Sequence, residues 1–484
     1  MNKKHSELPS PLLSALPILT LVCLLFITIR IFGSDALSGG SQIVLLTSTA
    51  ITSMLAICFC GVKWEAIERA ICHNILGVST ALIILLLIGA LSGSWMVSGI
   101  VPTMIYYGMQ IIHPSFFLVS SCIICAVVSI MTGSSWTTIA TIGVALMGIG
   151  EAQGFPSGWV AGAIISGAYF GDKVSPLSDT TVLASSVTNT PLFTHIRYMS
   201  YTTMPSLLIA LVLFLLMGFS HSSSAPTQIV AYTASLKQTF YITPWLMIVP
   251  ILTAILIAKK VPSLITLFVS SLMAGICAIV CQPDLLHEVA GADVSGGAAL
   301  YKGTFISYYG STSIETGNAA LNDLVTTRGM AGMLDTIWLI ICAMCFGGAM
   351  QASGMLESLT SLFVKFMKRG LGMVTSTVCS GLFLNLVTAD QYISIILTGN
   401  MFKEVYKKNG YESRLLSRTT EDAVTVTSVL IPWNSCGMTQ STILGVATLT
   451  YLPYCFFNLL SPLMSIIMMA IGFKIKKPNQ VISE

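Results

Sequence analysis

The chain contains many apolar runs of about 20 residues, the length an α-helix needs to cross the hydrocarbon of a bilayer. They fall near 12–32, 40–60, 78–100, 198–219, 239–259, 262–281, 335–357 and 448–472. Backbone polar groups have no water partners at that depth, so such runs must satisfy themselves as helices. The sequence predicts an all-α polytopic membrane protein. Of 484 residues, 54% are hydrophobic and 9% charged, against roughly 25% charged in soluble domains. The formal charge of +3 is small and scattered and gives no basis for a nucleic-acid partner. Most cysteines, including Cys122 and Cys125 of a C-x-x-C, lie in apolar runs and read as small buried residues. Lys3 and Lys4 precede the first run, which has no small-residue cleavage site. It reads as a first span rather than a removed signal.

Four further regions are interrupted. The stretches 157–190 and 414–446 are apolar but broken by proline and charge, and 115–149 and 371–402 are too long for one span. Basic residues favour the cytoplasmic side. Lys3 and Lys4, a loop 61–70 with Lys63 and Arg69, Arg197, Lys259 and Lys260, Lys365, Lys368 and Arg369, the basic 403–418 segment, and Lys474, Lys476 and Lys477 all fall inside under one arrangement. It has ten crossings, with 115–149 and 371–402 as re-entrant hairpins. Loops 101–114 and 283–330 then lie outside, and both termini are cytoplasmic.

The two halves overlay at an offset of 255–256 residues. Thr132 falls on Thr388, Gly154 on Gly410 and Pro176 on Pro432. Gly93 falls on Gly348, and Ser98-Gly99 on Ser353-Gly354. The first half, 1–230, starts inside and ends outside, so the second, 231–484, is expected to be inverted. The expected fold is an inverted repeat of about five spans plus a re-entrant hairpin per half, with broken helices, as in secondary transporters.

Charge at membrane depth is costly and marks candidate sites. In Gly171-Asp172-Lys173-Val174-Ser175-Pro176-Leu177-Ser178-Asp179-Thr180-Thr181, the proline interrupts a helix and frees carbonyls. Ser175, Ser178, Asp179, Thr180 and Thr181 add the oxygen atoms that hard cations prefer. Asp179 is the leading carboxylate, with sodium expected at Asp179, Ser175 and Ser178, and Asp172 and Lys173 form a candidate charge pair. The related stretch offers Asp422 and Thr425, on one helical face, then Asn434 and Ser435 beside Pro432. Arg414, Arg418 and Glu421 read as interfacial charges, and His73, His113 and His195 as span-end residues. Glu315 and Asp323 read as solvated loop acids, and Glu151 as a hairpin end. The hairpin tips supply Thr132, Ser134 and Ser135, and Thr388 and Asp390. Thr137 and Thr138 either line the tip or bond back to their own helix.

At these positions the chain resembles NhaC-type sodium/proton antiporters, of the wider ion-transporter superfamily. The resemblance rests on Gly171 to Thr181, on Arg418-Thr419-Thr420-Glu421-Asp422 followed by Ile431 to Gly437, on Thr388 to Tyr392 and on Glu315-Thr316-Gly317-Asn318. It spans roughly 60–470. It implies sodium/proton exchange in the cell (inner) membrane and a dimeric, elevator-like mechanism. The family also includes exchangers of malate for lactate.

No G-x-x-x-x-G-K-[ST] is present, so the energy is expected from ion gradients, with no cofactor and with sodium and protons as transported species. A desolvated carboxylate that holds either a proton or a sodium ion gives exchange by competition, and Lys173 can occupy an acidic neighbour when the ion leaves. Three classes stay open: an inorganic antiporter, a sodium-coupled carrier of small organic anions or amino acids, and a membrane-embedded enzyme. The last lacks H-E-x-x-H and survives only through Asp179 with Asp390 or Asp422.

Overall fold

The computed structural model describes residues 8–32, 39–220, 226–259, 261–317, 321–322, 325–365 and 370–475. Lys3, Lys4, Lys260, Asn318, Asp323, Lys368, Arg369, Lys476 and Lys477, which entered the expectations above, lie outside the described residues. Helices make up the described chain, whose one β-bridge joins Thr312 and Thr327. Eight described helices are long and apolar enough to cross a membrane, and two bent pairs raise the number to ten.

The long helices come first: α1 (Pro11–Phe32), α2 (Gly40–Cys60) and α3 (Trp64–Val97), followed by α4 (Ile100–Ile111). The expected loop at 61–70 is instead the exposed first turns of α3. Glu65 sits in the first turn, where the helix dipole favours an acid. The Arg69 side chain donates to the Glu65 carbonyl. The expected loop 101–114 is likewise mostly helix.

Helix α5 (Phe117–Thr132) ends at Gly133, whose φ of 66° turns the chain back. The return arm is α6 (Ser135–Thr138), a π turn (Ile139–Gly143) and α7 (Val144–Ala152). The two ends of this excursion meet. The rings of Phe117 and Phe155 lie 5.2 Å apart, and the Gln153 amide donates to the Ile112 carbonyl at 3.1 Å. Residues 115–149 thus form a hairpin.

Helix α8 (Ser157–Val174) then runs parallel to α5. Small residues allow the close approach. A Cβ on Gly167 would lie 2.1 Å from the Cys122 carbonyl oxygen, and one on Gly171 2.4 Å from that of Ala126. The break expected at Pro176 is present. Ser175 is extended (φ −79°, ψ 130°), and α9 (Asp179–Val187) restarts after it, because a residue before proline is driven out of the helical region.

Helix α10 (Leu192–Ser220) turns Leu208, Val212 and Leu216 outward and Thr203, Ser206 and Ala210 inward. That is the pattern of a helix between lipid and protein. Next come α11 (Pro226–Thr239), α12 (Ile248–Ala258) and α13 (Ser263–Cys281). The stretch 283–330, expected as a loop, opens with α14 (Pro283–Ala290) and α15 (Gly296–Tyr309).

Helices α16 (Leu334–Ala352) and α17 (Met355–Lys365) precede a second hairpin, α18 (Leu371–Thr388) and α19 (Gln391–Lys408), which reverses at Ala389. Its arms are tied by Thr377 and Tyr406, whose hydroxyls lie 3.0 Å apart. Helix α20 (Ser413–Thr420) passes into a π turn, Glu421–Thr425. The chain breaks again at Pro432 and restarts as α21 (Ser435–Leu444). Helices α22 (Thr448–Tyr451) and α23 (Phe456–Ala470) follow.

Candidate ion-translocation site

Each hairpin tip is fixed by its own side chains, and the same bonds recur 256 residues later. The backbone N–H of Ser134 donates to the Thr132 hydroxyl at 3.1 Å, which bonds the Ser134 carbonyl at 3.1 Å. The N–H of Asp390 donates to the Thr388 hydroxyl at 3.3 Å, which bonds the Asp390 carbonyl at 3.0 Å. Ser134 caps α6 and Asp390 caps α19. Such caps satisfy helix N–H groups that have no intrahelical partner. Between them sit Gly133 and Ala389, both left-handed.

Each tip faces a helix break. The Ser135 N–H and hydroxyl both donate to Asp172 Oδ2, at 3.1 and 2.7 Å. At the second tip the roles exchange: Ser428 donates to Gln391 Oε1 at 3.3 Å. Ser178 caps α9, and Asn434 caps α21. Asp390 Oδ2 accepts from the Ser435 hydroxyl at 3.2 Å, and the Ser435 N–H donates to the Ala389 carbonyl at 2.8 Å. Asn385 and Asn434 extend this second network to the Val424 and Asn385 carbonyls.

A third constellation joins the two. Lys173 Nζ bonds Asp422 Oδ1 and the Ser461 hydroxyl, the latter at 2.8 Å. Ser461 and Ser465 donate to the two Asp422 oxygens at 3.0 and 2.8 Å. Arg418 Nε lies 3.9 Å from Asp422 Oδ2, outside hydrogen-bond distance. Lys173, Arg418, Glu421 and Asp422 are all fully buried. Burying charge costs several kcal/mol per ion unless it is paired, and these four balance as two cations and two carboxylates. The pairing is uneven, however. Both cations sit against Asp422, while neither Glu421 oxygen has a hydrogen-bond partner.

Several expectations are corrected. Lys173 pairs with Asp422, not Asp172, because successive residues on a helix point about 100° apart. Arg418 and Glu421 are buried, not interfacial. The lysine and arginine of separate helices converge there, which hydropathy alone does not reveal. His195 is buried too, bonded through Nδ1 to the Ser417 hydroxyl. Asp179, expected as the leading carboxylate, opens α9 on an exposed turn, while Asp172, Asp390 and Asp422 are buried. Pro176 and Leu177 carry the chain outward before α9 begins, so the acid ahead of the break is the sheltered one. The hydroxyl of Ser175 bonds the Ile130 carbonyl at 2.8 Å, and that of Ser178 bonds Thr180 at 3.0 Å. Thr181 caps the carbonyl of Lys173 at 3.0 Å. Thr137 and Thr138 bond within their own tip and helix. Thr425 neighbours Glu421 within the π turn that also carries Asp422. Glu421 was missed as a site residue; the signal was its place beside Asp422 in a stretch whose other polar residues are small.

The chain is similar to known proteins. The profile of the Na+/H+ antiporter family matches residues 167–473, which include both helix breaks, the second hairpin and the charge cluster. The malate-2H(+)/Na(+)-lactate antiporter of Bacillus subtilis is 38% identical over 85% of this chain and 85% of its own length. The Na(+)/H(+) antiporter NhaC of the same organism is 36% identical over 89% of this chain and 92% of its own. NhaC of Alkalihalophilus pseudofirmus is 38% identical over 87% and 88%. With its apolar helices, paired hairpins and broken spans, this multi-pass membrane protein belongs to the Na+/H+ antiporter family.

Proposed function

We propose that the protein exchanges sodium ions for protons across the cell (inner) membrane. The observation that carries this reading is the Lys173–Asp422 pair. It joins a broken helix to a π turn in a site shut off from water. A carboxylate there can be held by sodium, by a proton, or by the tethered ammonium of Lys173. The lysine keeps the vacant site compensated, and an incoming cation must displace it. Asp172 with Ser135, Ser178, Asp179, Thr180 and Thr181, and Asp390 with Asn434 and Ser435, supply oxygen atoms at the two breaks for the sodium ion. The tips Thr132–Ser134 and Thr388–Asp390 position them, and Thr425 adds a hydroxyl beside Glu421.

The bonds repeated at 256 residues support two repeats, 1–230 and 231–484. We take these as inverted, with both termini cytoplasmic and two copies forming a homodimer in the bilayer. No cofactor or enzymatic step is needed. Purified protein in vesicles should move protons on addition of sodium alone, and Asp422→Asn should remove that flux while the protein stays in the membrane. Full flux in the variant would remove Asp422 from the mechanism.

A second reading has its own observation. A cavity of about 630 Å³ reaches Pro432 at the second break and carries Glu151, Arg328 and Asp335 on its wall. That is room for a small organic ion, as the name of the malate/lactate relative suggests. Proton movement that requires added lactate, malate or an amino acid would favour it.

A further inference from the structure

A second cavity, of about 500 Å³, lies where α10 and α20 begin and where the chain leaves α23. Three cationic residues from these three segments line it: Arg197, Arg414 and Lys474. Its aromatic wall is Phe193, Tyr198 and Tyr201. Among the described residues, Glu412 is the acid at this rim, and it pairs with Arg414. The cationic residues therefore outnumber the acid.

Tyr198 is the structural floor. The Arg414 guanidinium stands 4.7 Å from its ring and that of Arg418 5.0 Å. Its hydroxyl donates to the Lys474 carbonyl at 3.3 Å. The cavity thus shares a wall with Arg418, which faces Asp422 in the buried charge cluster. Phe193, 75% exposed, leaves an apolar edge beside the cations.

Like charges gathered around one hollow repel unless an anion joins them. Arginine forks match the oxygens of phosphate. Basic residues with aromatic neighbours at span ends sit at headgroup depth. We infer that this cavity binds a phosphate group, carried by an anionic phospholipid headgroup or by free phosphate. An occupant draws Arg414 and Lys474 together around Tyr198, and so steadies the wall on which Arg418 rests. The inference does not depend on which solute is exchanged.

The test is binding to the purified full-length protein in detergent. Phosphatidylglycerol, phosphatidylcholine and inorganic phosphate are titrated separately, and the thermal unfolding midpoint and native mass spectra are followed. Phosphatidylglycerol should raise the midpoint and remain bound, and phosphatidylcholine should do neither. The double variant Arg197→Gln, Lys474→Gln should weaken that binding tenfold or more, while the single conservative variant Arg197→Lys should retain most of it. A matching response to inorganic phosphate identifies free phosphate as a sufficient ligand; a response to the lipid alone identifies the headgroup. Unchanged affinity in the double variant overturns the assignment. So does equal binding of the two lipids with no response to phosphate. If the double variant does not fold, the single variant Arg197→Gln decides by the same comparison.

Discussion

Lys173 and Asp422, 249 positions apart in the chain, meet in a fully buried ion pair that Ser461 and Ser465 complete. The pair ties α8, which carries the first helix break, to the π turn that precedes the second. Removing one partner leaves an uncompensated buried charge, at a cost of about 3–5 kcal/mol. Lys173→Met and Asp422→Leu should each lower the thermal midpoint sharply. The double variant should lose less than either, because both charges leave together. Additive losses would mean that the pair does not act as a unit.

Competition fixes a sign for the pH dependence. If sodium and protons occupy the same carboxylates in turn, lowering the proton concentration frees sites for sodium. The sodium concentration giving half-maximal exchange should therefore fall as pH rises, by about tenfold per unit while protons saturate the site, as mass action requires. Tracer sodium uptake into vesicles at clamped internal pH measures it. A half-maximal concentration independent of pH would place the two ions on separate groups.

Glu421 stands apart from the paired acids. It is fully buried, with both oxygens unpartnered, beside a cluster in which both cations face Asp422. Glu421→Gln keeps the shape and leaves the Lys173–Asp422 pair in place, so the variant should still fold. Sodium-driven proton flux should fall by about a hundredfold or more, the scale on which loss of a positioned proton-transfer group acts. Folded protein with undiminished flux would make Glu421 a bystander.

Much of this architecture was legible in the sequence because bilayer physics leaves few choices. Apolar length marked the spans, and Pro176 and Pro432 marked the breaks. The recurrence of Thr132 at Thr388 marked two tips that share their hydrogen bonds. Partnership was not legible. Lys173 reads as the neighbour of Asp172, and only the packing of α8 against α23 and the π turn turns it toward Asp422. Burial of Arg418, Glu421 and His195 was hidden for the same reason: each residue lies near a basic stretch that suggests a wet surface. Asp179 shows the converse: the motif acid is more exposed than Asp172 ahead of the break.

Close packing of α5 on α8 depends on Gly167. Any Cβ there would meet the Cys122 carbonyl oxygen at 2.1 Å, and backbone cannot swing aside as a side-chain tip can. Gly167→Val should cost about 1–3 kcal/mol, the range for overpacked interiors. It should also shift the hairpin tip that contacts Asp172, so exchange should fall along with the thermal midpoint. A wild-type midpoint would show that the two helices have more room than their geometry indicates.

The two hairpin tips give the sharpest comparison, because equivalent positions carry different residues. Gly133 and Ala389 both take left-handed φ values, 66° and 55°. That conformation costs a residue with a Cβ roughly 1–2 kcal/mol. At Gly133 there is a second obstacle, since a Cβ would lie 2.7 Å from the Leu177 backbone. Gly133→Ala therefore meets both strain and collision and should lower stability by about 2 kcal/mol or more, combining the left-handed cost with overpacking. Ala389 already bears its methyl group in a buried place, so Ala389→Gly relieves the strain. It also loses about 0.8 kcal/mol of methyl burial and gives the unfolded chain more freedom. Those terms oppose each other, and the change should be near neutral. Denaturant or thermal unfolding of the two variants side by side measures the asymmetry. Equal losses at both tips would mean that the contact with Leu177 does not constrain the first.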